Sequence, residues 1–376
     1  MDTAGKRKIA LLVSFSGEGG VERLMLNLGE GLVGLGYPVD LLMVKGRSAH
    51  LQALTAGLNV VPLGANHTYG SLPAVVRYLR SEQPAALLAV KDRANQVAIV
   101  ASRLARSATR IAVEIQTTVS AALRGKSFLR KAMWYVPMRL LYPMAHVVVA
   151  VSEGVARDLA GITGIPSDRI QVIRNPAVTQ AMFRLAREPI EHPWFHDASL
   201  PVILGMGRCT RQKDFPTLIR AFARVRRQRP CRLMILGEGR DRAALSGLAD
   251  TLGVTKDVEF PGFVVNPYPF LSRAALFVLS SIWEGSPTVL TEAMALGVPV
   301  VATDCPSGPR EILREGRIAP LVPMGDPEAL ATAMLDSLAR PPEKTTLQEA
   351  VAEYTVERSA RRYVEVLMNS GCYPER

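Results

Sequence analysis

Two runs of one pattern constrain this chain more than any other feature. In each run a short, almost wholly apolar segment leads into an amphipathic helix, and the helix into the next apolar segment. The first run reads as a strand over Lys8–Ser14, then a helix over Gly20–Leu35 with apolar residues at Val21, Leu24, Met25, Leu28, Leu32 and Leu35. Gly36 closes that helix, as a C-terminal cap should. Strands follow at Pro38–Val44 and Val60–Pro62, a helix at Leu72–Ser81 and a strand at Ala85–Val90. The pattern restarts with a strand at Pro201–Met206 and a helix at Phe215–Arg227, then strands at Arg232–Leu236, Val258–Phe260, Ala275–Ser280 and Val298–Thr303. Helices are expected at Arg240–Leu252 and from Thr291 to Leu296. Near-continuous apolar strands between helices signal parallel sheets covered on both faces, so the fold class is α/β with two Rossmann-like units.

The length agrees, since 376 residues exceed one ordinary core at roughly 150 per domain. The expected organisation is an N-terminal domain over 1–178, a C-terminal domain over 200–354, and a last amphipathic helix within 355–376. That helix packs in the second unit or returns to the first. Gln180–Ser199, with Pro189, Pro193 and little periodicity, reads as the connector.

Composition excludes several classes. With 48% hydrophobic residues the chain is neither disordered nor fibrous. Cys209, Cys231, Cys305 and Cys372 form no paired spacing, which argues against a disulfide framework or a structural zinc site and for a reducing, cytoplasmic home. Lys6, Arg7 and Lys8 precede Ile9–Val13 as in a signal peptide. That run is too short, and glycine-rich sequence follows it, so a buried first strand is expected. Trp134–Val151 comes nearest to a membrane span but carries Arg139, His146 and two prolines, short of the ~18 clean apolar residues required. None of the five histidines (His50, His67, His146, His192, His196) has metal-ligand spacing.

Charge is uneven. Residues 1–190 hold 23 Lys+Arg against 12 Asp+Glu, and residues 191–376 hold 22 against 22. The whole excess therefore sits in the N-terminal half, which points to an anionic partner there.

Two motifs carry chemistry. Gly17-Glu18-Gly19-Gly20 follows the first strand and opens a helix, where backbone N–H groups and the positive dipole end suit an anion. Glu22 stands where a dinucleotide fingerprint needs its third glycine, so that fingerprint is absent. A tight strand-to-helix turn is the structural alternative. The second motif is Trp283–Ala302. Pro287 suits a first helical turn. Ser286 and Thr288 offer hydroxyls and N–H groups to phosphate. Glu284 precedes the helix, and Glu292 lies one turn deeper than Thr288 on the same face. One carboxylate could serve sugar hydroxyls, the other a ribose.

The two glutamates followed by Ala-Leu-Gly-Val-Pro-Val-Val-Ala-Thr-Asp resemble the donor-site signature of family 4 retaining glycosyltransferases with the GT-B fold. Further stretches match in order: Gly-Glu-Gly-Gly-Val-Glu-Arg, Val149–Val155, Val172–Pro176, Gly205–Arg208 with Gln212–Asp214, Leu236–Gly239, Pro261–Phe263 and Asp304–Leu313. The likeness covers nearly the whole chain. It implies two domains facing a cleft and retaining transfer of a hexose or N-acetylhexosamine from a nucleotide sugar, UDP before GDP. The acceptor would be a glycan or a polyprenyl-linked glycan. No cofactor is implied, since the nucleotide sugar is a substrate and no metal is required.

By the same resemblance Arg208 and Lys213 bind the diphosphate, Glu284 contacts the donor sugar and Glu292 the ribose. Gly19 and Gly20 lie near the donor phosphates, Glu238 on the nucleotide side, and Phe263 and Val264 beside the base. A core role for Phe263 and solvated surface roles for the two cations are the structural alternatives. The family's cleft histidine is missing from Arg110–Thr118, which offers Glu114 and Gln116 on the acceptor side instead. An amide there can hydrogen-bond a hydroxyl but cannot act as a base near pH 7.

Val119–Tyr142 interleaves Arg124, Lys126, Arg130, Lys131 and Arg139 with Leu123, Phe128, Leu129, Met133, Trp134, Tyr135, Met138 and Leu140. Such a mixture suits a helix lying on an anionic membrane surface, peripheral on the cytoplasmic face, with Arg124, Arg130 and Lys131 near a lipid-linked pyrophosphate. A basic surface helix with its apolar side on the core is the alternative. Competing functions are a non-catalytic nucleotide-binding protein and a nucleotide-sugar epimerase on this fold. Nucleic-acid binding rests on charge alone, without a recognised module, and is not expected.

Overall fold

The structure is a computed structural model and describes residues 7–14, 20–44, 57–196 and 200–368. The chain forms two compact units: Met1–Ala177 with Tyr354–Arg376, and Val178–Glu353.

The first unit holds β1 (Ile9–Val13), β2 (Val39–Met43), β3 (Leu58–Pro62), β4 (Ala86–Val90), β5 (Arg110–Ile115), β6 (Val147–Ala150) and β7 (Ile170–Val172). They form one parallel sheet in the order β3-β2-β1-β4-β5-β6-β7. Every residue of β1, β2 and β4 is buried, because helices cover both faces. The alternation of a strand divides β1 between two cores. Ala10 and Leu12 join the helices Leu72–Glu82, Asp92–Ala105 and Glu153–Thr163. Ile9, Leu11 and Val13 face Gly20–Gly34 and the C-terminal helix Val356–Met368.

That C-terminal helix completes the first unit. Tyr363, Val366 and Leu367 enter its core. Gly31 allows the close approach of Gly20–Gly34, since a Cβ there would sit 2.7 Å from Val356 Cγ1 and 2.9 Å from Ala360 Cβ. Ser359 Oγ donates to the Arg174 carbonyl at 2.8 Å.

The second unit holds β8 (Val202–Met206), β9 (Arg232–Leu236), β10 (Val258–Gly262), β11 (Leu276–Leu279), β12 (Val300–Thr303) and β13 (Leu321–Val322). They form a parallel sheet in the order β10-β9-β8-β11-β12-β13. In both sheets the chain starts centrally, runs to one edge and returns beside its first strand. Between β1 and β4, and between β8 and β11, the following connections therefore diverge, and such switch points at the carboxyl ends of strands open a crevice for ligands.

Two expectations need correction. The segment read as an irregular connector contains the helix Gln180–Leu185, capped by Thr179 Oγ1 accepting from Met182 N at 2.9 Å, and the turn Pro193–Phe195. His192 pairs with Glu259 at 3.1 Å and meets Trp194, Phe195 and Phe270 edge-on, so this stretch belongs to the second unit. A six-residue helix is too short to show helical periodicity. The basic segment read as one stretch is two helices, Val119–Ala122 and Phe128–Leu141.

Candidate active site

The second unit's switch point lies between Gly207–Asp214, after β8, and Ser280–Pro287, after β11. Glycines bring three loops together backbone to backbone. Gly207 N–H donates to Leu236 O at 2.9 Å, Cys209 N–H to Glu238 O at 2.8 Å and Gly237 N–H to Gly262 O at 2.8 Å. Gly207 and Gly237 have φ of 146° and 136°, and a Cβ on Gly237 would collide with the Gly207 carbonyl. Only glycine satisfies both the dihedral and the approach.

The two diverging loops are stitched across the switch. Ile282 N–H donates to Gln212 O at 2.8 Å, Gln212 Nε2 to Trp283 O at 3.0 Å and Ser280 Oγ to Lys213 O at 2.6 Å. These bonds place Lys213 Nζ 2.7 Å from Glu284 Oε1, with side-chain exposures of 15% and 9%. Ser281 Oγ donates to the same carboxylate oxygen at 2.7 Å. A pair this enclosed is costly to desolvate unless its remaining hydrogen-bonding capacity is also satisfied, and Ser281 and the Gln212 amide contribute to that. Arg208, on the same loop, is exposed.

The helix Thr288–Ala295 starts beside this pair. Pro287 is its N-cap, with an extended ψ of 102°, so the helix opens around Pro287 and three residues before Thr291. Ser286 is buried and Thr288 half-buried at that start. Gly308 lies against Pro287 and Gly285, where a side chain would strike the proline ring. Glu292 is fully enclosed, and its Oε1 accepts from the Tyr268 hydroxyl at 3.2 Å. Glu238 is exposed and 3.8 Å from Arg242. Phe263 is 36% exposed, which overturns the core alternative: it follows Gly262, whose φ of 88° ends β10.

In the first unit Gly20 is the first residue of its helix, with open space where a Cβ would stand. Gly19 lies outside the described residues. Glu114, expected on the acceptor side, is enclosed within the first unit. It is fully buried, with Oε2 accepting from the Tyr363 hydroxyl at 2.8 Å and Oε1 from the Gln116 amide. Burial pushes its carboxyl up to about 7, outweighing those two bonds. Gln116 is half-buried and also donates to Asn175 Oδ1 at 3.2 Å.

Sequence reasoning passed over Lys91. Its Nζ donates to the Ser14 carbonyl at 3.0 Å and pairs with buried Glu22 at 3.2 Å, across the first unit's switch point. Its φ of 77° is rare for a residue with a Cβ. The available signal was a lysine directly after the apolar run of β4.

The helix Phe128–Leu141 fits the core-packed alternative only in part. Met138 is its one fully buried side chain among the described residues, whereas Phe128, Leu129, Met133, Val136 and Leu140 are exposed by 82, 74, 75, 52 and 66%. Met138, with Tyr135 and Leu141 beside it, seats one face of the helix on the first unit's core, and a second apolar face is left exposed. Arg124 and Arg130 are exposed and Lys131 half-buried.

Comparison with known proteins places this geometry. Residues 19–176 match the glycosyl transferase 4-like domain, and residues 200–340 match glycosyl transferases group 1. An uncharacterized glycosyltransferase of Methanocaldococcus jannaschii is 32% identical over 179 residues, 46% of this chain and 44% of that protein. The lipopolysaccharide core biosynthesis glycosyltransferase LpsE of Rhizobium meliloti is 27% identical over 93% of this chain and 94% of its own length. The Campylobacter jejuni N-acetylgalactosamine-N,N'-diacetylbacillosaminyl-diphospho-undecaprenol 4-alpha-N-acetylgalactosaminyltransferase is 28% identical over 73% of this chain and 74% of its own. Sucrose-phosphate synthase from Thermosynechococcus elongatus shares the fold with a TM-score of 0.79 at 19% identity, over 96% of this chain and 98% of that one. With one glycosyltransferase model matching each unit, the chain belongs to the glycosyltransferases of the two-domain GT-B fold.

Proposed function

We propose that this glycosyltransferase moves a hexose or N-acetylhexosamine from a nucleotide sugar, UDP before GDP, to a polyprenyl-linked glycan with retention of configuration. The observation that carries the reading is the enclosed Lys213–Glu284 pair at the switch point, with Arg208 on the same loop and the start of the glutamate helix beside it. Lys213, Arg208 and the N–H groups at that helix start supply positive charge where a leaving diphosphate gathers negative charge. Glu284 accepts from hydroxyls of the transferred sugar, and Glu292 from the ribose.

In this account the acceptor hydroxyl attacks the anomeric carbon on the face the diphosphate leaves. The C–O bond to the diphosphate breaks, the new glycosidic bond forms on the same side, and the acceptor proton passes to the departing phosphate oxygen. Such a route needs no protein base, which is consistent with the enclosure of Glu114. The lipid-linked acceptor is supported by two relatives, one named for a lipopolysaccharide core and one for a diphospho-undecaprenol substrate. The exposed helix Phe128–Leu141 supplies a surface for the membrane that carries such acceptors, and the cytoplasmic face is where nucleotide sugars are made.

The test is transfer of label from a panel of radiolabelled nucleotide sugars into the organic phase of a membrane lipid extract. Counts from one donor, reduced about 100-fold or more in Glu284→Ala, are expected. Equal counts in wild type and variant would remove Glu284 from the chemistry, and no counts from any donor would contradict the lipid-linked acceptor.

A further inference from the structure

The first unit carries a second cluster that the donor site does not use. Tyr69 opens the short turn Tyr69–Ser71 between β3 and the helix Leu72–Glu82, on the carboxyl-edge side of the sheet, and that turn packs against the helix Asp92–Ala105. Its side chain is 51% exposed although its hydroxyl is tied down, donating to Gln96 Oε1 at 3.0 Å. Gln96 is buried and donates in turn to Asp92 Oδ2 at 2.8 Å, while the Tyr142 hydroxyl donates to Asp92 Oδ1 at 2.9 Å. The Arg93 guanidinium lies over one face of the Tyr69 ring, 6.0 Å from its centre.

The arrangement is a braced aromatic platform. A tyrosine whose hydroxyl is satisfied internally has its ring to offer a partner. Turn, amide and carboxylate hold that ring in place, so little rotamer freedom remains to be lost on binding. Half-buried Asp92 and exposed Arg93 add a hydroxyl acceptor and a donor beside it. An apolar surface edged by a few fixed polar groups matches a pyranose, which presents C–H groups on one face and hydroxyls on its rim.

We propose that Tyr69, Asp92 and Arg93 form a pyranose-binding subsite, which takes a sugar residue of the acceptor glycan. The assignment to the acceptor rests on the transferase reading above, while the sugar-binding claim stands on the cluster itself. Tyr69 supplies its exposed ring surface, Arg93 above one ring face and Asp92 beside it supply the polar contacts, and Gln96 and Tyr142 act as positioning residues.

Saturation-transfer NMR on the full chain tests this with methyl α-D-glucopyranoside, methyl α-D-galactopyranoside and methyl N-acetyl-α-D-galactosaminide as probes and UDP in the same sample. Ring-proton signals from at least one glycoside are expected in wild type and in Tyr69→Phe. They should fall about fivefold in Tyr69→Ala and in Arg93→Ala, with the UDP signal unchanged in all four proteins. Glycoside signals that survive Tyr69→Ala, or that are missing from wild type, would overturn the subsite. Loss of the UDP signal alone would instead count against the donor reading and leave the subsite standing.

Discussion

Lys213 and Glu284 hold each other because either charge would be expensive to enclose alone. Both were legible in the sequence, since each sits in a short motif directly after an apolar strand. That they touch was not legible, because Lys213 and Gln212 reach the carboxylate only through the register of two loops 71 and 72 positions apart, whereas Ser281 lies three positions from it in the same loop. Glu114 shows the same limit more sharply. Its partner Tyr363 lies 249 positions away, and nothing local distinguishes a strand glutamate beneath a covering helix from one at an open edge. The enclosure has a measurable consequence. The folded chain keeps the Glu114 proton up to about 7, against an ordinary value of 4.5 in the unfolded chain. The resulting stabilisation is complete below about 4.5 and is lost as pH rises through about 7, on the order of 3 kcal/mol across that window. Urea unfolding at pH 5 and pH 8 should show the loss in wild type and a smaller one in Glu114→Gln; equal losses would mean the carboxyl titrates normally.

Elements were legible in proportion to their apolar regularity. The strands β1, β2, β4, β8, β9 and β12 and the helices Gly20–Gly34, Leu72–Glu82 and Phe215–Gln228 stood close to where periodicity put them, whereas the helices Asp92–Ala105, Glu153–Thr163 and Pro327–Ala339 were not read and Gln180–Leu185 was hidden by its length. The glutamate helix, expected from Thr291, starts at Thr288, where Pro287 caps it. Glycine positions separate the same way. Gly237 joins β9 to its loop at φ 136° against the Gly207 carbonyl, while Gly247 lies in the helix Arg242–Thr251 with open space around it. Gly237→Ala should therefore cost about 2 kcal/mol or more, and Gly247→Ala should stabilise by up to about 1 kcal/mol. Thermal unfolding of the two variants decides the matter, and similar midpoints would show that the loops after β8 and β9 can separate at little cost.

At the scale of the molecule, the charge asymmetry and the exposed helix belong to the same unit. Leu129, Met133, Val136 and Leu140 recur at spacings of four, three and four, so they line one face of the helix, and Arg124, Lys126, Arg130 and Arg139 are exposed along the same segment. Among the described residues no helix is long and apolar enough to cross a membrane, so attachment through this face would be at the surface. Each basic residue near an anionic surface contributes about 1 kcal/mol. Reversing Arg130 and Lys131 to glutamate should abolish sedimentation with anionic liposomes, and unchanged sedimentation would refute the docking. The sequence pattern left open whether the apolar side faced the core, because alternating basic and apolar residues describe both arrangements. In the structure Tyr135, Met138 and Leu141 meet the core, while Leu129, Met133, Val136 and Leu140 are exposed.

The central claim is that the switch point of the second unit binds the diphosphate of the donor. Calorimetric titration of wild type, Arg208→Met and Lys213→Met with UDP and with uridine tests it directly. UDP should bind wild type more tightly than uridine, and each substitution should weaken UDP about tenfold or more while leaving uridine unchanged. UDP that binds no better than uridine, or that binds both variants as well as wild type, would contradict the account.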